Sequence, residues 1–465
     1  MKKPQISIAI ILTTLVNFIF PCINNISPAN AAMQQIVANQ NQDLQNIENL
    51  ATKFMEMLGK EDFNAAAQYF EKSIQPGLSP QQLEQVWRSI TSQLGTYQKQ
   101  IAIRSQKSKE FDIAFVTSEF TKGKAEFRIV FNSNKNIVGF FLSTNKSVTK
   151  IPLPAYFKVD KFTEKEVTIG SGEWALPGTL TLPVGNSKSI PAVVLVHGSG
   201  PQDRDETLGP NKPFRDIAWG LAAQGIAVLR YEKRSKQHSA KFAAQAVNLT
   251  VKEETIDDAL LAVSLLRKTP QINPKKIFVL GHSLGGMLIP KIGKADANIA
   301  GLIVLAGNTR KFEDLTLDQI AYLLSLNSTV SPEEKEFQTQ IQRQVAKIKS
   351  PQLAKLPEQE IMLGAHPKYW LDLRNYQPAE VAKKLKQPML ILQGERDYQV
   401  TMVDFAGWQK ALATKGNVTF KTYPLLNHLF MAGEGKSRPE EYEKPGYVLE
   451  EVINDIGNWI NSQKK

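Results

Sequence analysis

A serine stands at the centre of the pentapeptide Gly281-His282-Ser283-Leu284-Gly285. It follows the apolar run Ile277-Phe278-Val279-Leu280 and precedes Gly286-Met287-Leu288-Ile289, which suits a helix. The expected order is strand, sharp turn, helix, with the hydroxyl at the apex. Glycines two places to either side let two backbones pass close together at a strained turn. The pattern suits nucleophilic attack. A hydroxyl, however, is a weak nucleophile at neutral pH. It needs a base to take its proton, and the base needs an acceptor to orient it.

Downstream of Ser283 only His366 and His428 can be that base. Where such a turn carries the nucleophile, the acid follows it in the chain and the histidine comes last. His366 precedes the strand expected to carry the acid, whereas His428 lies in Leu425-Leu426-Asn427-His428-Leu429-Phe430, after the last expected strand. His428 is therefore assigned as base. The apolar run Leu390-Ile391-Leu392-Gln393 ends in Gly394-Glu395-Arg396-Asp397, and Asp397 is assigned as the orienting acid. Glu395 comes too early in the turn and Asp404 falls within an expected helix. Helix capping is the competing role for Asp397.

Acyl transfer also needs two backbone N–H groups for the oxyanion. One is expected from Leu284. The other is expected from the glycine-rich segment His197-Gly198-Ser199-Gly200, at Ser199 or, as the alternative, Gly198. Each donor would lower the barrier by roughly 3 kcal/mol. His282, Tyr369 and Trp370 are candidates for the substrate pocket, with packing as the competing role. His197 reads as structural and His238 as an exposed loop residue. Asp203-Arg204-Asp205 reads as an ion-pair cluster at the mouth of the site.

These residues need a scaffold. From residue 163 onward strand-like and helix-like stretches alternate. Ala192–His197, Ala227–Tyr231, Lys276–Gly281, Gly301–Ala306, Met389–Gln393 and Thr419–Tyr423 read as strands, with amphipathic stretches such as Glu253–Leu266 and Val403–Leu412 between them. That order predicts an α/β domain over 163–465, a mostly parallel sheet covered by helices on both faces. Between Ala306 and Met389 two helical stripes occur instead of a strand: Leu317, Ile320, Ala321 and Leu324, then Phe337, Ile341, Val345 and Ile348. Residues 309–380 are expected to form a helical cap over the sheet's carboxyl edge, where ligands of open α/β sheets bind.

A smaller module precedes this domain. Three helical patterns, the last starting after Ser79-Pro80, give way to period-two alternation at Phe111, Ile113, Phe115 and at Phe127, Ile129, Phe131. Helices followed by an antiparallel meander predict a small α+β domain over 33–145, with 146–162 as linker. Ahead of it, Lys2-Lys3, an apolar run from Ile6 to Phe20 and Ala29-Asn30-Ala31 read as a secretory signal peptide cleaved after Ala31. A secreted or periplasmic location follows, with no bilayer span after cleavage. The single cysteine, Cys22, lies inside that leader, so disulfides and thiolate chemistry are excluded from the mature chain. The formal charge of +11 falls by the two leader lysines to +9. Its densest groups, Lys233-Arg234-Ser235-Lys236 and Lys383-Lys384-Leu385-Lys386, lack interleaved aromatics. They read as solvated surface, not as a nucleic-acid interface.

Four strings in this order carry a family resemblance: His197-Gly198-Ser199-Gly200-Pro201-Gln202-Asp203-Arg204-Asp205, the Ser283 pentapeptide, Gly394-Glu395-Arg396-Asp397-Tyr398-Gln399-Val400, and Asn427-His428. Residues 160–465 resemble the α/β-hydrolase superfamily, near secreted serine esterases of the dienelactone-hydrolase and prolyl-oligopeptidase branches. Ser283 departs from the cysteine nucleophile of dienelactone hydrolases proper. Glu232 and Ser235 stand where many relatives have Asp and Gly. The N-terminal module resembles the nuclear-transport-factor-like domain, through Phe63 to Phe70, Leu83 to Trp87, Gly95 and Gly139-Phe140-Phe141. The resemblance implies hydrolysis of a small-molecule carboxylic ester through an acyl-enzyme on Ser283, without metal or organic cofactor. Amide or thioester cleavage by the same residues, and a non-catalytic binding role on this scaffold, are the alternative readings.

Overall fold

The computed structural model describes residues 33–71, 79–108, 111–143, 152–185 and 189–463. The expected signal peptide, with Cys22, lies outside them. The chain divides into two compact units at about residue 150. Among the described residues no helix is long and apolar enough to cross a membrane.

The N-terminal unit opens with helices α1 (Met33–Gly59), α2 (Phe63–Ala67) and α3 (Pro80–Leu94). Ser79 caps α3 through a reciprocal bond pair with Gln82, and Pro80 occupies the first turn, where its missing N–H is no loss. Strands β1 (Tyr97–Ser108), β2 (Phe111–Phe120), β3 (Gly123–Phe131) and β4 (Ile137–Ser143) form an antiparallel meander in sequence order. Along β2 every second residue is buried, as the alternation requires. Phe54, Trp87 and Phe127 are buried, and Phe127 stacks on Phe140 with ring centroids 5.4 Å apart, so the aromatics of this unit form its core.

The second unit is built on an eight-stranded sheet. Its strands are β5 (Phe162–Ile169), β6 (Leu176–Pro183), β7 (Ile190–Val196), β8 (Ala227–Tyr231), β9 (Ile272–His282), β10 (Gly301–Leu305), β11 (Met389–Gly394) and β12 (Val418–Tyr423). They lie in the order β12-β11-β10-β9-β7-β8-β6-β5. Pairings from β8 to β12 are parallel, while β6 runs antiparallel to both β8 and β5. Alternate residues of β7 enter separate cores. Ala192, Val194 and Val196 face helices α5 (Asp257–Arg267), α6 (Leu284–Ala295) and α11 (Met402–Leu412); Val193 and Leu195 face α4 (Pro213–Ala223) and α12 (Glu450–Ser462). Burial on both faces explains why the central strands read as unbroken apolar runs. The strand order and two-sided helical cover are those of the α/β-hydrolase fold.

Two boundaries differ from the sequence reading. Strand β5 begins at Phe162, because Phe162 pairs with Pro183 at the end of the β5–β6 hairpin. The preceding segment is not a free linker: Tyr156 is buried, and its hydroxyl donates to the Val448 carbonyl at 3.0 Å. Between β10 and β11 run the helices α7 (Phe312–Ser325), α8 (Pro332–Lys349), α9 (Pro367–Arg374) and α10 (Pro378–Lys383). Ile320, Leu323 and Leu324 of α7 pack with Tyr398, Leu429 and Met431, which follow the carboxyl ends of β11 and β12.

Candidate active site

Ser283 connects β9 to α6 with φ 54° and ψ −120°, a left-handed conformation that a side-chain-bearing residue rarely adopts. Its N–H donates to the Leu305 carbonyl at 2.9 Å, which ties the turn to the neighbouring strand. The flanking glycines are required by close backbone approach. A Cβ on Gly281 would lie 2.4 Å from the carbonyl of Gly285, and one on Gly285 would lie 2.3 Å from the carbonyl oxygen of Val196. The hydroxyl-bearing turn is thus wedged against β7 and β10.

The acid loop leaves the end of β11. Asp397 Oδ1 accepts the N–H groups of Gln399 at 2.7 Å and Val400 at 3.0 Å. Its Oδ2 accepts Gln393 Nε2–H at 3.2 Å and lies 2.6 Å from His428 Nδ1. Four donors on one buried carboxylate fix its plane. The short contact orients the His428 ring with Nδ1 on Asp397 and Nε2 turned away from it. Glu395 points elsewhere, accepting from Thr422 on β12. Asp404 accepts the N–H groups of Thr309 and Arg310 and pairs with the Arg310 guanidinium, pinning the start of the cap. His366 stands at the start of α9 in the cap.

The base loop is shaped by Asn427, whose Oδ1 accepts the N–H groups of Leu429 and Met431, and by Phe430 at φ 57°. It abuts the elbow: His282 Nε2–H donates to the His428 carbonyl at 2.9 Å, and the two imidazoles lie 4.5 Å apart. Among the described residues no hydrogen bond joins the Ser283 hydroxyl to His428. In ligand-free sites this contact is often long and tightens when substrate binds.

His282 is buried. Its Nδ1 lies 2.9 Å from Glu206 Oε2, out of line for a good hydrogen bond, and both residues are buried. Burial alone would push the Glu206 carboxyl up. The charge and proximity of His282, the His197 ring and the Gly198 N–H outweigh burial and hold it below the ordinary carboxylate value. Burial would likewise lower His282, but Glu206 keeps it raised. Glu206 and His282 thus each favour the other's charged form in a buried contact next to the nucleophile turn.

The expected oxyanion loop, Gly198 to Gly200, follows β7 and touches the elbow. A Cβ on Gly198 would meet Ser283 Cβ at 3.1 Å. The Gly198 N–H donates to Glu206 Oε1 at 2.6 Å, so the alternative donor is already engaged. Among the described residues the N–H groups of Ser199 and Leu284 have no acceptor and remain available. The Gly198 carbonyl accepts Lys233 Nζ at 2.9 Å. His197 Nε2–H donates to the Asp203 carbonyl at 3.0 Å, and its burial pushes the ring pKa down to about 4, so it stays neutral and structural.

Tyr369 and Trp370 on α9 are buried, and their polar atoms are bound within the protein. The Tyr369 hydroxyl donates to Glu254 Oε2 at 3.0 Å, and the Trp370 indole donates to the Met362 carbonyl at 2.8 Å. Asp203-Arg204-Asp205 does form an ion-pair cluster: Arg204 binds Glu166 and Glu232, and Asp205 binds Arg230 and Lys212. His238 is half-buried, edge-on to Trp174, and donates to the Ala175 carbonyl.

The reading of Lys233-Arg234 as solvated surface is corrected. Both are buried, Lys233 against Glu254 at 3.1 Å and Arg234 against Asp258. Glu254 lies in a widened π turn, Lys252–Ile256, at the start of α5. Such turns often occur at functional sites. Glu206, Lys233 and Glu254 were missed from sequence. The one available signal was the position of Glu206 directly after the quoted Asp203-Arg204-Asp205.

Residues 189–435 match the family described as serine aminopeptidase, S33, and residues 51–140 match a family described as a protein of unknown function, DUF3887. The chain is 38% identical over 411 residues to Esterase EstD of Thermotoga maritima, covering 88% of this chain and 93% of that one. Among solved structures, Est1E from Butyrivibrio proteoclasticus aligns at 15% identity and TM-score 0.41 over 64% of this chain and 98% of its own. An acylaminoacyl peptidase from Pyrococcus horikoshii aligns at 14% identity and TM-score 0.42, over 79% and 50% respectively.

Proposed function

The chain belongs to the serine aminopeptidase S33 family of hydrolases, and from that premise we propose that it cleaves carboxylic esters through an acyl-enzyme on Ser283. The observation that carries the reading is the 2.6 Å contact between Asp397 and His428 on a loop hydrogen-bonded to the nucleophile turn. Ser283 Oγ attacks the acyl carbonyl as His428 Nε2 takes its proton, and Asp397 stabilises the resulting imidazolium. The N–H groups of Leu284 and Ser199 hold the oxyanion. His428 then gives the proton to the departing alcohol, and a water activated by the same nitrogen releases the acid.

The identity to a relative named as an esterase supports the ester as the scissile bond. The family description, which names an aminopeptidase, favours an amide as second reading. Hydrolysis of p-nitrophenyl acetate by wild type and Ser283→Ala tests the first. Activity that Ser283→Ala abolishes is expected; equal turnover would remove Ser283 from the chemistry, and no activity in either would leave a binding protein on a hydrolase scaffold. Matched ester and anilide substrates divide the two bonds, and faster anilide cleavage would overturn the ester. Lys2-Lys3, the apolar run to Phe20 and Ala29-Asn30-Ala31 support export of the chain from the cytoplasm.

A further inference from the structure

Gly198 is gripped at both of its backbone polar groups by buried charges. Its N–H donates to Glu206 Oε1 at 2.6 Å, and its carbonyl accepts Lys233 Nζ at 2.9 Å. Glu206 and Lys233 are 4% and 2% exposed, so neither contact is a casual surface pairing. Each charge is itself anchored. Glu206 adopts φ 52° in a turn whose Asp203 side chain accepts the N–H groups of Asp205 and Thr207, and its second oxygen lies against His282. Lys233 pairs with Glu254, which also accepts from Ser235 and from Tyr369 of the cap. Strained backbone of this kind persists only where its surroundings over-determine it.

The consequence follows from peptide planarity. The Gly198 carbonyl and the Ser199 N–H belong to one trans peptide plane and point in opposite directions. Holding the carbonyl against Lys233 therefore turns the Ser199 N–H away from Lys233. Fixing the Gly198 N–H on Glu206 removes the remaining freedom to rotate. We propose that Glu206 and Lys233 are positioning residues that aim the Ser199 N–H at the oxyanion, with Glu206 also registering the nucleophile turn and base loop through His282. This rests on the acyl-transfer reading of the site. An oxyanion donor contributes most when it is preorganised, and a displacement of about 1 Å can lower the rate a hundredfold.

The test compares wild type, Glu206→Gln, Lys233→Met and the milder Glu206→Asp and Lys233→Arg on p-nitrophenyl acetate. Active sites are counted by the end-point extent of fluorophosphonate labelling. Asp216→Ala, which removes a buried carboxylate bound to Arg215 and the Val448 N–H and not to Gly198, Glu206 or Lys233, reports loss of stability. Glu206→Gln and Lys233→Met are expected to lower kcat per titrated site about ten- to a hundredfold, with KM little changed. Binding of a boronic acid that mimics the tetrahedral state should weaken by the same factor, and Lys233→Arg should recover part of the loss. Should kcat per site stay within about twofold of wild type, or fall equally in Asp216→Ala, the positioning role is overturned while the esterase reading stands. Wild-type activity independent of Ser283 would overturn both.

Discussion

Asp397 and His428 are 31 residues apart in the chain, yet their side chains meet at 2.6 Å in a buried contact. The carboxylate is already held by three other donors, from Gln393, Gln399 and Val400. The imidazole is therefore presented to a fixed acceptor and cannot turn over without losing its contact with Asp397. Asp397→Asn should lower kcat by about three to four orders of magnitude while leaving the fold intact, because an amide can hold the wrong tautomer in place. Steady-state kinetics with circular dichroism check this, and a loss below tenfold would remove Asp397 from the machinery.

The nucleophile turn tolerates no side chain at its second glycine. In Gly285→Ala the new Cβ would sit 2.3 Å and 2.6 Å from the carbonyl oxygens of Val196 and His197, both backbone atoms of the strand below. We expect the melting temperature to fall by several degrees, corresponding to about 2 kcal/mol or more, together with loss of most activity. Gly123→Ala, where a Cβ meets nothing within 4 Å, should leave both unchanged.

Tyr369 tests whether α9 supplies specificity or cohesion. Its hydroxyl is bound to buried Glu254, so Tyr369→Phe leaves one carboxylate oxygen short of a donor and should destabilise by about 1–2 kcal/mol. Relative KM values over a series of p-nitrophenyl esters of rising acyl length should not change. A shifted acyl preference without loss of stability would return Tyr369 to the substrate pocket.

His197 gives the stability a pH dependence of definite sign. Burial lowers its folded pKa to about 4, against about 6.5 in an unfolded chain. Between those values the unfolded state binds the extra proton. Stability therefore rises with pH in that window and is lost as pH falls from about 6.5 towards 4, by up to roughly 3 kcal/mol. His282, whose folded pKa is raised by Glu206, acts oppositely: its contribution is complete at low pH and lost as pH rises through its folded value. Denaturant unfolding at pH 7 and pH 5 reads the sum of such terms, and the difference between wild type and a His197 variant extracts the first. His197→Gln, which keeps an N–H donor for the Asp203 carbonyl, should narrow the loss between the two pH values, and an unchanged difference would contradict the assignment.

Ser283 and Asp397 were legible because each follows an apolar run that is buried in the sheet, β9 and β11, whereas His428 follows β12, a partly exposed edge strand, and was legible from its order in the chain. The glycines of the elbow were legible for the same reason that they are needed: only they permit backbones at the distances found. Phe162, the first residue of β5, reads as linker because the strand lies at the edge of the sheet, where solvent accepts the charges of Glu164 and Lys165 and the apolar signal fades. Glu206, Lys233 and Glu254 were not legible. Charged side chains are expected in water, and what buries them here is distant: a carbonyl 35 residues from Lys233 and a hydroxyl 115 residues from Glu254.

The most direct measurement is covalent labelling with a fluorophosphonate followed by peptide mapping. One modified residue, Ser283, is expected, with labelling and ester hydrolysis lost together in Ser283→Ala. A label on another residue, or ester hydrolysis that persists in Ser283→Ala, would contradict the acyl-enzyme on Ser283.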